Sequence, residues 1–104
     1  MDESEVISAL RALGEQTRWR VMRLLVSGGR GMAAGDIAGA LKVRQNTLSS
    51  HIAALTRCGR IDGHRQGRKI VYSADSRNAR RLAAQVLITL GDVSESAASK
   101  LFRK

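Results

Sequence analysis

Apolar side chains return along this chain first at helical spacing and later at alternating spacing, and the change of period divides it into elements. In residues 4–13, Val6, Ile7, Leu10 and Leu13 suit one helical face, with Ser4 as the expected N-cap. Beyond Gly14, Trp19, Val21, Met22, Leu24, Leu25 and Val26 predict a second helix from Thr17 to Ser27. Arg18, Arg20 and Arg23 are interleaved with them, and Gly28, Gly29 and Gly31 end the helix. Residues 34–41 read as a short helix with Ile37 and Leu41 inward. Lys42, Val43 and Arg44 make a tight connection to a further helix from Gln45 to Arg57. Its Leu48, Ile52 and Leu55 fall at i, i+4 and i+7, one narrow inward stripe. At about 100° per residue, the opposite face carries Asn46, Ser50, Ala53 and Arg57, flanked by Thr47 and Ser49.

After Gly59 the period shortens. Ile61 to Arg65 and Lys69 to Ser73 are expected strands, with Gln66, Gly67 and Arg68 as the turn between them. Asp75 or Ser76 then caps a last long helix showing Leu82, Val86 and Leu90, its stripe widened by Ala83, Leu87 and Ile88. From Gly91 the chain turns polar until Leu101 and Phe102, a frayed or weakly helical tail by this reading. The predicted fold class is mainly α with a small β-hairpin (α+β), in the order α-α-α-α-β-β-α. That is a winged helix-turn-helix, a single domain over 1–104 with the helix-turn-helix at 34–57 and the wing at 61–73. The first and last helices carry apolar stripes that a small domain is not expected to cover. Residues 1–13 and 76–90 are therefore read as dimerisation helices, with Val6, Ile7, Leu10, Leu13, Leu82, Val86, Leu87 and Leu90 in the interface.

Composition sharpens this picture. The chain has 104 residues, 18 Lys plus Arg against 9 Asp plus Glu, and a net charge of +9. A balance so basic points to a polyanion, nucleic acid before an acidic membrane surface. Residues 1–15 carry −3, residues 16–69 carry +9, with eleven basic side chains against Asp36 and Asp62, and residues 70–104 carry +3. The excess thus sits on the helix-turn-helix and wing rather than on a basic tail. One cysteine, Cys58, excludes an internal disulfide framework and a multi-cysteine zinc site. No apolar run approaches the ~18 residues of a membrane span. The acidic start, MDESEV, is unlike a secretory or transit peptide, so a soluble cytoplasmic protein is expected.

The stretch Ala12-Leu-Gly-Glu-Gln-Thr-Arg-Trp-Arg-Val-Met-Arg-Leu-Leu25 resembles the opening of ArsR/SmtB-type winged-helix repressors. The resemblance continues through Asp36-Ile-Ala, Leu41 and Gln45-Asn-Thr-Leu-Ser-Ser-His-Ile-Ala-Ala-Leu55. It closes with Gly59-Arg-Ile and Arg65-Gln-Gly-Arg-Lys-Ile-Val-Tyr72. It implies a homodimeric transcriptional repressor released from operator DNA by an inducer. Many such proteins sense metals through a Cys-x-Cys in the third helix, or through Asp, His and Glu in the last. Here Gly31 to Asp36 has no cysteine, and Arg80 to Gly91 has no His, Glu or Asp. Metal regulation by those routes is not expected, and no cofactor is implied. A pair of sensing cysteines within one subunit is likewise lacking. Arg44 stands where the family commonly has a capping Ser; it cannot cap, but can reach a phosphate.

The expected DNA contacts are Arg44, Gln45, Asn46, Thr47, Ser49, Ser50 and Arg57 on the fourth helix, with Arg65, Arg68 and Lys69 on the wing. Asn suits adenine edges, Ser serves bases or phosphates, and short side chains allow close approach. Wing cations suit phosphates or the minor groove. Arg18, Arg20 and Arg23 divide between solvated surface, ion pairs and phosphate contact, and His64 reads as an exposed wing residue. His51 and Cys58, seven apart, lie on one helical edge. The favoured reading is an edge-of-core histidine and a small buried thiol, because no third ligand or orienting acid is placed nearby. A thiol-linked inducer at Cys58 is the minor alternative. No Gly-rich phosphate loop, paired carboxylates or triad supports an enzyme. A winged-helix module for RNA or a protein is the second reading, and membrane binding a weaker one.

Overall fold

The computed structural model describes residues 1–91 and Ser96. The expectation for a frayed tail with Leu101 and Phe102 falls almost wholly outside them. Helices α1 (Glu3–Leu13) and α2 (Gln16–Gly28) lead into a short strand β1 (Met32–Ala33), then α3 (Ala34–Leu41) and α4 (Gln45–Arg57). The hairpin β2 (Ile61–Gln66) and β3 (Lys69–Ala74) and helix α5 (Ser76–Thr89) follow. This is the predicted winged helix-turn-helix order with one strand added.

The helix starts differ from expectation in instructive ways. Asp2, not Ser4, caps α1: its Oδ1 accepts the N–H of Glu5 at 2.8 Å. Glu3 and Glu5 in the first turn complement the helix dipole. Glu15 caps α2, its Oε2 accepting from Arg18 N at 3.0 Å. Asp75 is the cap of α5, through Asn78 N. Arg44 occupies the N-cap position of α4 in extended backbone and makes no side-chain cap bond, as its chemistry requires.

The unexpected strand makes the sheet three-stranded and antiparallel, in the order β1-β3-β2, with Met32 opposite Tyr72 and Ala33 opposite Val71. A Cβ on Gly31 would collide with Val71 Cγ1, so glycine is what lets the chain enter this pairing. In the hairpin, Gln66 pairs with Lys69, so the turn is two residues rather than three. Gly67 has φ +63, and that left-handed region is open to glycine without steric cost.

Ile37, Leu48, Leu55, Ile61 and Val21 are fully buried and, with Leu25, Ile52, Ala12 and Ala38, form the main core beneath α2, α3 and α4. A second cluster joins Val6 and Ala9 of α1 to Leu82 of α5, with Met1, Leu13 and Val86 packed against it. The two terminal stripes therefore cover each other in part within one chain, contrary to the expectation that nothing inside the domain would meet them. Val6 and Leu82 are buried here, Leu13, Val86 and Leu87 are half-buried, and Ile7, Leu10 and Leu90 remain exposed.

Candidate nucleic-acid interface

All ten expected DNA contacts are solvent-exposed: Arg44, Gln45, Asn46, Thr47, Ser49, Ser50, Arg57, Arg65, Arg68 and Lys69. The fold brings five of them together through the way α4 is held. Leu48, Ile52 and Leu55 anchor one side of the helix, which turns the small polar side outward. The wing then folds back beside it. Gln45 from the start of α4 and Arg68 and Lys69 from the hairpin tip line one cleft, together with Gly35 and Asp36 of α3. On the other flank, Ser49, Ala53 and Arg57 of α4 face Gly63, Ile70 and Tyr72 of the wing across a second cleft. Of the ten, Gln45, Arg68 and Lys69 line the first cleft and Ser49 and Arg57 the second, while Arg44, Asn46, Thr47, Ser50 and Arg65 are exposed but line neither.

The hydrogen bonds on this face are local. Ser49 Oγ donates to Gln45 O at 3.0 Å and Ser50 Oγ to Thr47 O at 3.2 Å, while Asn46 Oδ1 accepts from Thr47 N at 2.9 Å. Each serine has thereby used its one proton and offers lone pairs outward, as an acceptor for a base amino group. The Asn46 amide nitrogen stays available as a donor.

Three residues that matter here were not singled out from sequence. Asp36 places a carboxylate in the cleft beside Arg68 and Lys69; its position in the first turn of α3 was the available signal. Ile70 is 45% exposed on the wing beside Ala53, an apolar spot within a basic surface. Arg60 is only 2% exposed, although it follows a run that reads as surface. Its Nε donates to Cys58 O at 3.2 Å and its Nη1 to Asn78 O at 3.3 Å, pinning the start of the wing to α5.

The surroundings of His51 also differ from expectation. An acid does lie nearby: Glu15 Oε2 is 3.5 Å from His51 Nδ1, and Arg18 Nε donates to that same nitrogen at 3.1 Å. Arg18 is accordingly half-buried and engaged within the protein rather than free for phosphate. The backbone N–H of Arg18, foremost among several groups, holds the Glu15 carboxyl below its ordinary value of 4.5. Cys58 is half-buried with Sγ 3.6 Å from Leu55 O. Among the described residues, no three His, Cys, Asp or Glu side chains gather as a metal site, and no helix is long and apolar enough to cross a membrane.

Comparison with known proteins matches this architecture. Residues 13–60 fit the family described as a helix-turn-helix domain. The transcriptional repressor SdpR of Bacillus subtilis is 32% identical over 69 residues, 66% of this chain and 74% of SdpR. An ArsR-like transcriptional regulator from Rhodococcus sp. RHA1 superposes with a TM-score of 0.74 at 28% identity, covering 94% of this chain and 92% of the other. A homodimeric winged helix-turn-helix DNA-binding domain from Mycobacterium bovis, a possible ArsR-family regulator, gives 0.69 at 26% identity, over 86% of this chain and 81% of the other. Sequence and architecture agree, and the chain belongs to the ArsR family of winged helix-turn-helix transcriptional regulators.

Proposed function

We propose that this regulator is a homodimeric repressor that reads operator DNA with α4 and grips the flanking backbone with the wing. The observation that carries the reading is the joining of Gln45, Arg68 and Lys69 along one cleft and of Ser49 and Arg57 along the other. A +9 chain that directs polar readers and cations to one surface has the form required for phosphate positioning combined with base readout. Asn46 and Ser50, outward near the start of α4, take the role of readers; Arg44, Arg65, Arg68 and Lys69 take that of backbone contacts.

Dimerisation follows from the apolar cleft between α1 and α5. It measures about 310 Å³ and is lined by Met1, Val6, Ile7, Leu10, Val86 and Leu90, among others. A second copy of these helices would cover it and set two α4 helices on a two-fold axis, about 34 Å apart for successive major grooves. The homodimeric state of the Mycobacterium bovis domain supports this assembly, and SdpR supports repression. The release signal in this reading is a non-metal or thiol-linked one outside the family's metal routes, with Cys58 as the minor thiol candidate.

The test is selection of bound duplexes from a random DNA pool, followed by titration of the selected duplex, a shuffled duplex and a single-stranded RNA. Recovery of a two-fold symmetric site, bound as a dimer, is expected. Equal affinity for all three probes would overturn sequence-specific reading.

A further inference from the structure

We propose that His51 in its neutral form is the positioning residue that fixes α4 against the α1–α2 corner, so that a proton on its ring loosens the DNA-reading surface. The inference rests on the DNA-binding reading above and adds to it a control element.

The apolar contacts of Leu48, Ile52 and Leu55 keep α4 on the core, but such contacts have no direction and tolerate small slides and tilts. Direction comes from hydrogen bonds. Among the described residues, the bond from Arg18 Nε to His51 Nδ1 is the one side-chain hydrogen bond that joins α4 to another helix or strand. The other side-chain bonds made by α4 residues return to its own backbone. Arg18 belongs to α2, and its Nη1 also reaches Ala12 O near the end of α1, at 3.5 Å. One guanidinium therefore links three helices, and His51 is where α4 enters the linkage.

The chemistry of this bond makes it conditional. A guanidinium only donates, so in this bond Nδ1 offers a lone pair, and the proposed state is the neutral tautomer with its hydrogen on Nε2. An imidazolium is a donor at both nitrogens and cannot accept from Arg18. Its new Nδ1–H would face Glu15 Oε2, 3.5 Å away, an oxygen that already caps α2 through Arg18 N. Protonation thus removes the 3.1 Å bond to Arg18, leaves a 3.5 Å contact to a carboxylate oxygen already engaged as the α2 cap, and places two cations side by side. Among the described residues, Glu15, the N-cap of α2, and Arg18 of α2 are the charged groups within bonding or ion-pair reach of His51. The end of α1 contributes only the Ala12 carbonyl, on Arg18, and α3 and β2 contribute none. The other histidine, His64, is exposed on the wing. A proton there adds positive charge toward DNA and strengthens binding, the opposite sign.

The test uses the full chain in the His64→Gln background, with the selected duplex and a shuffled duplex as probes, between about pH 8 and pH 5 where imidazoles titrate. Affinity for the selected duplex is expected to fall as pH drops by about tenfold per chain, the equivalent of one hydrogen bond to a charged group, and so by about a hundredfold for a dimer on a symmetric site. His51→Asn places an acceptor oxygen near the position of Nδ1 and cannot be protonated there. It should bind as the parent does at high pH and stay flat. Glu15→Gln, which still caps α2, should move the fall to lower pH because the imidazolium loses its carboxylate. Nitrogen NMR of the free protein is the readout independent of DNA and of how well each variant folds. It should show the Nε2–H tautomer of His51 at high pH. A Nδ1–H tautomer, or parent and His51→Asn profiles that coincide, would overturn the inference. Absence of any duplex preference at high pH would instead overturn the DNA-binding reading, leaving the tautomer result to stand on its own.

Discussion

Replacing Leu10 by Ala should weaken self-association while leaving the folded chain nearly as stable as before. Leu10 is 43% exposed beside the cleft between α1 and α5, and Leu90 at the far end of that cleft is 72% exposed. Full burial of a leucine side chain is worth about 1.5–3 kcal/mol. Covering the open 43% of Leu10 then contributes about 0.6–1.3 kcal/mol per chain, and two-fold symmetry doubles it. The Leu10→Ala dimer should be weaker by about 1–2.5 kcal/mol, roughly 5- to 70-fold in dissociation constant. Leu90→Ala, starting from greater exposure, should cost about 2–4 kcal/mol by the same reckoning. Leu82 provides the contrast, because it is 6% exposed within one chain. Leu82→Ala should lower the stability of the chain itself by about 2–5 kcal/mol through the cavity it leaves. Sedimentation equilibrium gives the dissociation constants, and urea unfolding at several protein concentrations separates folding from association. If Leu10→Ala and Leu90→Ala both sediment like the parent, this cleft is not the dimer interface.

Lys69→Ala should reduce affinity for selected and shuffled duplexes together and flatten the log–log salt dependence by about 0.9 per chain, about 1.8 for the dimer, as loss of one phosphate contact in each chain requires. Asn46→Ala should cost roughly 1–3 kcal/mol per chain on the selected duplex, counted twice for the dimer, and little on the shuffled one, read from the ratio of the two titrations. Arg60→Ala leaves the Cys58 and Asn78 carbonyls without their shared donor, and should lower the urea midpoint by the equivalent of about 2–5 kcal/mol. Glu15 has its carboxyl held below 4.5 in the folded protein, so its stabilisation is full above the unfolded value and disappears as pH falls through the lower folded one. Glu15→Gln should therefore flatten the acid limb of the stability profile below about pH 4.5, measured by urea unfolding.

The parts of the fold visible in sequence were those written in periodicity. Leu48, Ile52 and Leu55 at i, i+4 and i+7 announce both α4 and the side it buries, and the outward polar residues follow by elimination. The hairpin was legible because Ile70, Val71 and Tyr72 precede a helix-cap aspartate and follow a glycine turn. What escaped was set by partners distant along the chain. A two-residue strand at Met32–Ala33 has no period to detect; it exists because β3 offers it an edge. Arg60 reads as surface by type, and only the carbonyls of Cys58 and of Asn78, eighteen positions away, explain its burial. Likewise, Glu15 and His51 are thirty-six positions apart, and no local pattern announces that Arg18 would bring them together. Asp2 displaced Ser4 as cap because helix starts shift easily by a turn fraction, and a carboxylate accepts as well as a hydroxyl.

The same helix that carries the proposed dimer face ends on the proposed positioning linkage. Ile7 and Leu10 of α1 border the open cleft, and within one further turn Ala12 presents its carbonyl to Arg18. Arg18 in turn donates to His51 in the middle of α4. The path from the proposed subunit interface to the proposed DNA reader is thus two hydrogen bonds long and passes through no loop except the α1–α2 corner, which Glu15 caps. For a two-fold repressor this matters more than for a monomer. A tilt of α4 in one chain is repeated in its partner, and both helices must still enter grooves about 34 Å apart. Any per-chain penalty therefore enters the affinity for a symmetric site twice, so a small local rearrangement is read out as its square. A proton or a shift at the proposed interface has leverage here because each acts on the same guanidinium, and α4 makes no second side-chain hydrogen bond to another helix or strand among the described residues.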